Sequence, residues 1–555
     1  MNKKQIFTLS AAAILLTSCS GKLGQLTADN FNVTPNPLET QAGEVPATIN
    51  GMFPEKYMNK KAVVTVTPEL RFGGQAVRGT SATFQGEKVQ GNDQTISYRM
   101  GGRYSMKTSF KYQPEMQQSE LYLTFDAKIG KKEVKVPAVK VATGVIATSE
   151  LYKRTLSQAQ GAIAQDAFQR VIEQKQEANV KFLIGQAQLR KSELQNNSVQ
   201  EFVRLLGEIA KDQEGKILNG IEVSAYASPD GGYQLNERLA GQREKVTGDY
   251  VQKQMKDLKT DAPLDTKYTA EDWEGFQELV KASDIQDKDV ILRVLSMYKD
   301  PEEREQQIKA ISSAFRELAD GILPQLRRAR MIANYELIGR DDDQILAQIK
   351  TDASKLSVEE LLYGATLYDN DLNSSAAAYQ KAVDLYPNDV RAYNNLATIA
   401  YAQGDYTKAE QWLMKAQRVD NKLAETNANL GLLALQKGNL TEAESYIARS
   451  SSANGANEII GNLHLAQGKY AQAQQDFGSI KSNSAALAQI MNKDYAAAAN
   501  TLKGIATPDG TTEYLKAIVA SRIGNKSDAA NALEAAFKLD PTLRSYAAKD
   551  LEFQK

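Results

Sequence analysis

The sequence predicts a multidomain protein: an N-terminal β-sandwich over residues 31–146, an α/β domain over 180–340 with a helical insertion at about 256–325, and a C-terminal all-α repeat solenoid over 356–555. Three observations predict it. The chain has 555 residues, too many for one hydrophobic core. Its first quarter alternates apolar and polar residues with period two, and its last third repeats a turn-residue-to-alanine spacing. A leader (1–18), a linker (19–30) and a helical connector (147–179) complete the order.

Composition excludes several chemistries. Cys19 is the only cysteine and His464 the only histidine. Intrachain disulfides and Cys/His zinc centres need more cysteines and histidines than the chain has, and Ser-His-Asp or Cys-His catalysis would have to rest on this one histidine. Paired carboxylates could work without them, but no acid pair stands out. The sequence therefore predicts no enzyme, no metal and no cofactor. His464, in "GNLHLAQG", is read as a helix-surface or packing residue. Net charge is −1 with signs mixed along the chain, so no basic stripe points to nucleic acid.

The leader "MNKKQIFTLSAAAILLTSCS" places Lys3 and Lys4 before an apolar run from Ile6 to Leu16, then Leu16-Thr17-Ser18-Cys19. The run is about half a membrane span. This pattern resembles the type II signal peptide of bacterial lipoproteins, which implies cleavage before Cys19 and a diacylglycerol on its sulfur. Ser20 after the cysteine implies sorting to the outer membrane. No acidic cluster follows, which favours the periplasmic face.

"KKAVVTVTPELRF", "TISYRMGGRYSMKTSFKY" and "SELYLTFDAKIGKKEVKVP" are strand-like, with a tight hairpin at "AKIGKKEVKV". Several short strands at this spacing predict the sandwich. From about 180 the pattern changes to strand, helix, strand, helix and, after the insertion, strand. In "SVQEFVRLLGEIAKD", Val199, Phe202, Leu205, Leu206 and Ile209 share one helix side. "ILNGIEVSAYAS" is a strand, and a helix begins near Tyr233. On it Leu235, Leu239, Val246 and Tyr250 form the expected buried stripe, with Asn236 and Arg243 together at its edge.

The stretch "VSAYASPDGGYQLNERLAGQR" is similar to the peptidoglycan-binding element of the OmpA-family C-terminal domain: Gly231, Asn236, Leu239 and Arg243 fall on the family's spacing. The resemblance implies peptidoglycan as a partner, its diaminopimelate carboxylate taken by Arg243 and its ammonium by an Asp. Here Ser228 stands in place of that Asp and Tyr226 in place of the family's His. A hydroxyl supplies no countercharge, so about 1.5–3 kcal/mol of charge-assisted bonding is missing. Asp230, two residues on, is the replacement candidate. The alternative is that Asn236 and Arg243 only brace the loop. Insertions with an "AYASPDG"-like turn occur in a divergent branch of outer-membrane and fimbria-associated proteins, which favours protein binding.

In the last third, Gly404, Gly438, Gly468 and Gly524 precede Ala409, Ala443, Ala473 and Ala529 by five, with Lys493/Ala498 as the variant. A bulky residue follows each alanine by four: Leu413, Ile447, Phe477, Leu502 and Leu533. Ala409 and Ala443 stand 34 residues apart. With Leu396-Ala397, Leu430-Gly431, Pro387 and Pro541, the pattern resembles tetratricopeptide (TPR) repeats, which implies a superhelix whose concave face binds protein segments. Tyr393, Asn394, Asn427 and Asn429 are the candidate partner-binding residues. Because repeat contacts are local, the sandwich and solenoid are expected to behave as separate modules. The whole predicts a lipid-anchored outer-membrane scaffold that associates with peptidoglycan through Ser228, Asp230, Asn236 and Arg243 and with protein partners through the repeats. The alternative is a component of a secretion or surface-assembly complex that no longer binds peptidoglycan.

Overall fold

The structure is a computed structural model that describes residues 23–285, 287–310, 316–369 and 371–554. The leader and the lipidation candidate Cys19 lie outside them. The chain forms two compact units: Met1–Asp166 together with Tyr368–Lys555, and Ala167–Leu367.

The discontinuous unit begins with two sheets. One has the order Phe31–Thr34, Glu44–Phe53, Gly102–Lys111. The other runs Lys132–Thr143, Ser119–Ile129, Ala62–Phe72, Ala82–Gly86, Gln94–Ile96, with Gln75–Arg78 paired to Ala62–Phe72. Gly102–Lys111 buries alternate residues, and Ile49, Phe53 and Phe110 of one sheet share a core with Val64, Val66, Leu121 and Leu123 of the other. Period-two burial on one face of each sheet is what makes a sandwich of them. The hairpin turns at Gly130, whose φ of 61° suits a residue without Cβ.

The same unit continues in the helical array. Helix pairs are Val390–Ala402/Tyr406–Val419, Ala424–Gln436/Leu440–Ile447, Ala456–Ala466/Tyr470–Phe477, Asn483–Met491/Tyr495–Lys503 and Gly510–Arg522/Lys526–Leu539, preceded by Leu372–Leu385 and closed by Thr542–Ala547. The recurring turn residues have one geometric cause. Gly404, Gly438, Gly468 and Gly524 adopt φ between 72° and 83°, and the variant Lys493 adopts 63°. The next residue caps the second helix through its side chain at Asp405, Asn439, Asp494 and Asn525. The small residues sit where helices meet: Ala409, Ala443, Ala473 and Ala498 are buried, and a Cβ on Gly431 would lie 2.5 Å from Ile447 Cγ1. Four of the five helices from Leu440 to Lys503 have only eight or nine residues, which accounts for the shorter repeat spacing there.

Sandwich and array are not the separate modules expected. Val145–Ile146 pairs with Leu38–Glu39 and contacts Leu551–Phe553 near the end of the chain. Arg522 bridges the buried Glu552 and Glu39, and Thr148 Oγ1 donates to Glu552 Oε1 at 2.7 Å. Local repeat contacts do not forbid a terminal repeat from adopting a neighbour through buried ion pairs.

The second unit is a four-stranded sheet in the order Val171–Lys181, Arg328–Ile338, Lys216–Tyr226, Leu264–Thr269, in which only the last pair is parallel. Asn197–Lys211 and Tyr233–Leu258 pack on it. Val199, Phe202, Leu205, Leu206 and Ile209 lie buried in one core with Val180, Val223, Ala225 and Met331. Four expectations need correction. The helical connector (147–179) is helical only at Thr148–Leu151 and Tyr152–Leu156, and Val171–Lys181 is the first strand of the sheet. The insertion opens with a strand, Leu264–Thr269, whose exposed edge position hid its alternation. Its helices Trp273–Ala282, Lys288–Met297 and Pro301–Ala310 build a small core of their own around Phe276, Ile291, Leu295 and Leu326. Finally, Val358–Thr366 belongs with the sheet unit rather than the array: Gly364 packs on Ile345 and Ile349, and Glu360 pairs with Arg340 at 2.7 Å.

Candidate functional site

In the sheet unit the four candidate residues do come together. Helix Tyr233–Leu258 buries Asn236, Leu239, Ala240, Arg243, Thr247, Val251 and Met255, while Leu235 is 43% exposed. Asn236 and Arg243 are thus centred on the buried stripe rather than at its edge. Hydrogen bonding makes this possible. Arg243, 1% exposed, donates from Nε to Gln186 O (3.0 Å), from Nη1 to Tyr226 O (2.9 Å) and from Nη2 to Leu183 O (3.4 Å), over the ring of Phe182. A buried guanidinium is stable where carbonyls replace its water. Burial, with Arg327 nearby, lowers its pKa to about 10, so it stays charged at neutral pH.

Asp230 is paired with Arg327 Nη2 at 2.8 Å and accepts from Ser228 Oγ at 2.5 Å; Arg327 Nε also reaches Ser228 Oγ at 3.2 Å. Asn236 Nδ2 donates to Gly231 O at 2.7 Å. Asn236 Nδ2 also reaches Glu271 Oε1 at 3.4 Å, so the cluster holds two arginines and two carboxylates, of which only Asp230 is paired with an arginine. Arg327 was not singled out from the sequence because it stands just before the last strand, 97 residues from Asp230. The adjacent basic run "RRAR" was its only local sign.

The inner face of the array is lined by the first helix of each pair, which packs on the first helix of the next. It is filled by the chain's own residues 148–165, which run along it from the last repeat to the first. Arg154 pairs with Asp540, and Gln158 Oε1 accepts from Asn483 Nδ2 at 2.7 Å. The Gln160 N–H bonds to Glu458, a carboxyl 9% exposed whose pKa burial raises to about 7. Ala162 N–H donates to Asn429 Oδ1 at 2.7 Å, and its carbonyl accepts from Asn429 and Asn394 at 2.8 and 2.9 Å. Ala164 exchanges both main-chain groups with the Asn395 amide at 2.9 Å each. Tyr401 OH donates to Leu156 O at 2.8 Å. A side-chain amide presents a donor and an acceptor side by side, so it reads an extended peptide unit as a neighbouring strand would. Each such bond is worth about 1 kcal/mol net.

The sequence model of the tetratricopeptide repeat family matches residues 365–422. The C-terminal region is a tetratricopeptide array. Among solved structures, the chain is similar to a tetratricopeptide repeat protein from Parabacteroides merdae (15% identity, TM-score 0.29, covering 45% of this chain and 98% of that one). It is also similar to PilF of Pseudomonas aeruginosa (17%, 0.27, 39% and 97%). A third is PilW, a type IV pilus biogenesis factor (16%, 0.26, 37% and 98%). No curated protein matches the chain.

Of the four candidates in the tetratricopeptide array, Asn394 and Asn429 line the groove and hold main chain. Tyr393 and Asn427 do not: Tyr393 OH donates to Pro387 O at 3.1 Å and Asn427 Nδ2 to Leu423 O at 2.9 Å, both inside their own repeats. Asn395, Tyr401, Glu458 and Asn483 are groove residues the sequence reading missed. The recurrence of Asn on the inner helices was the available signal. His464 lies on a repeat helix with Nδ1 2.5 Å from Asp476 Oδ2. Among the described residues, no group of three or more His, Cys, Asp or Glu side chains could hold a metal ion, and no helix is long and apolar enough to cross a membrane.

Proposed function

We propose that the protein is a non-catalytic assembly scaffold, anchored to the outer membrane by lipid on Cys19, with its globular units on the periplasmic face. Its tetratricopeptide array recruits protein partners, and its α/β unit is an OmpA-like domain that braces rather than binds peptidoglycan. The array is the observation that supports scaffolding. The state of the α/β cluster favours the bracing reading over peptidoglycan association: Arg243 is buried on three carbonyls, and Asp230 already has Arg327 as its partner. An incoming ammonium would have to displace a guanidinium, and an incoming carboxylate would have to reach a side chain 1% exposed.

Sedimentation with purified sacculi tests this. Wild type is expected to stay in the supernatant, and Ser228→Asp is expected not to help, because the new carboxylate would pair with Arg327. Retention of wild type that Asp230→Asn abolishes would restore the peptidoglycan reading. The anchor is tested by Cys19→Ala, which should release the protein from membranes after a high-salt wash. Crosslinking in intact cells should give inter-protein crosslinks that map to residues 372–547; their absence would remove the scaffold reading.

A further inference from the structure

We propose that residues 156–165 are a resident ligand of the array's inner groove, so that an extended partner segment reaches the groove only by displacing them. This rests on the scaffold reading only for the existence of a partner; the occupancy of the groove stands by itself.

The segment behaves as a bound peptide does. It has no regular structure from 159 to 165, and several of its main-chain groups bond outward to the repeats. Those at 156, 160, 162 and 164 are met by Tyr401, Glu458, Asn394, Asn395 and Asn429. Its inward side chains are small and buried: Ala159, Ala162 and Ala164 are 6%, 1% and 3% exposed. At residue 161 even a methyl is too large, since a Cβ there would lie 2.7 Å from Thr398 Cγ2 and 2.9 Å from Asn429 Oδ1. The groove thus selects an extended segment with Gly-small-x-small, reading its backbone and refusing bulk. The segment is covalently tied at both ends, so it competes as an intramolecular ligand at high effective concentration. A partner segment must match the Gly-small-x-small pattern and outlast that competition.

The test uses the full chain and a fluorescent peptide of residues 155–166, TLSQAQGAIAQD. Gly161→Leu should expel the resident segment, and this variant should bind the peptide at least tenfold more tightly than wild type. Adding Asn394→Ala and Asn429→Ala should remove the gain. Wild type that binds the peptide as tightly as Gly161→Leu would overturn the proposal, as would a folded Gly161→Leu that binds none. Should Gly161→Leu fail to fold, amide exchange on wild type decides. Ala162 and Ala164 N–H groups protected like the inner helices support the resident ligand, and exchange at the rate of open loops refutes it.

Discussion

Arg243 closes the loop 183–186 onto the end of strand Lys216–Tyr226 by donating to three carbonyls. Arg243→Ala should cost about 3 kcal/mol or more, because buried acceptors lose their donors together. Arg243→Lys should recover less than half of that, since an ammonium cannot span the three directions of a guanidinium. Denaturant unfolding of the two variants measures both effects. At Glu458 the consequence is a pH dependence. Its carboxyl is raised by burial from 4.5 to about 7, so between these values the folded chain holds a proton that the unfolded chain releases. Its contribution to stability therefore falls as pH rises through that window, by up to about 3 kcal/mol. Glu458→Gln should flatten the difference between pH 5 and pH 8. Equal slopes for the two proteins would show that the residue does not titrate as buried.

Among the elements, the turns of the array were legible and the groove was not. A left-handed residue followed by a side-chain cap is a local requirement, and local requirements leave a local trace: Gly-Asp, Gly-Asn and Lys-Asp at a fixed distance from alanine. The one non-glycine turn gives a direct test. Lys493→Gly should stabilise the array by about 1 kcal/mol by relieving φ at 63°, whereas Lys493→Ala should be nearly neutral. Thermal melts compare them. Strand Leu264–Thr269 was missed for the opposite reason. Five of its six residues are exposed, so no burial pattern marked it, and only its parallel pairing to Lys216–Tyr226 makes it a strand.

At the scale of the molecule, sandwich and array form one compact unit joined through Arg522, Glu552, Glu39 and Thr148, and are expected to unfold together. Arg522→Ala leaves Glu552, 1% exposed, without its cation, and should cost about 3–5 kcal/mol. Hydrogen exchange followed by peptide should show the loss in sandwich segments and array segments alike. A loss confined to the last repeat would mean that the joint carries no cooperativity.

By itself the sequence determined the fold classes of the parts, the five turn positions, the small-to-bulky packing code of the repeats and, with one cysteine and one histidine, the lack of intrachain disulfides and Cys/His zinc centres. These follow from periodicity, backbone sterics and composition, which act over a few residues. The tertiary structure decided what those parts face. It turned Arg243 inward onto carbonyls, gave Asp230 an arginine from a distant turn, merged two expected modules and laid residues 148–165 along the repeats. Each of these outcomes depends on partners brought together by folding: Ala162 meets Asn429 across 267 positions and Thr148 meets Glu552 across 404. At such separations no sequence period links the two, and only the closed fold puts donor beside acceptor.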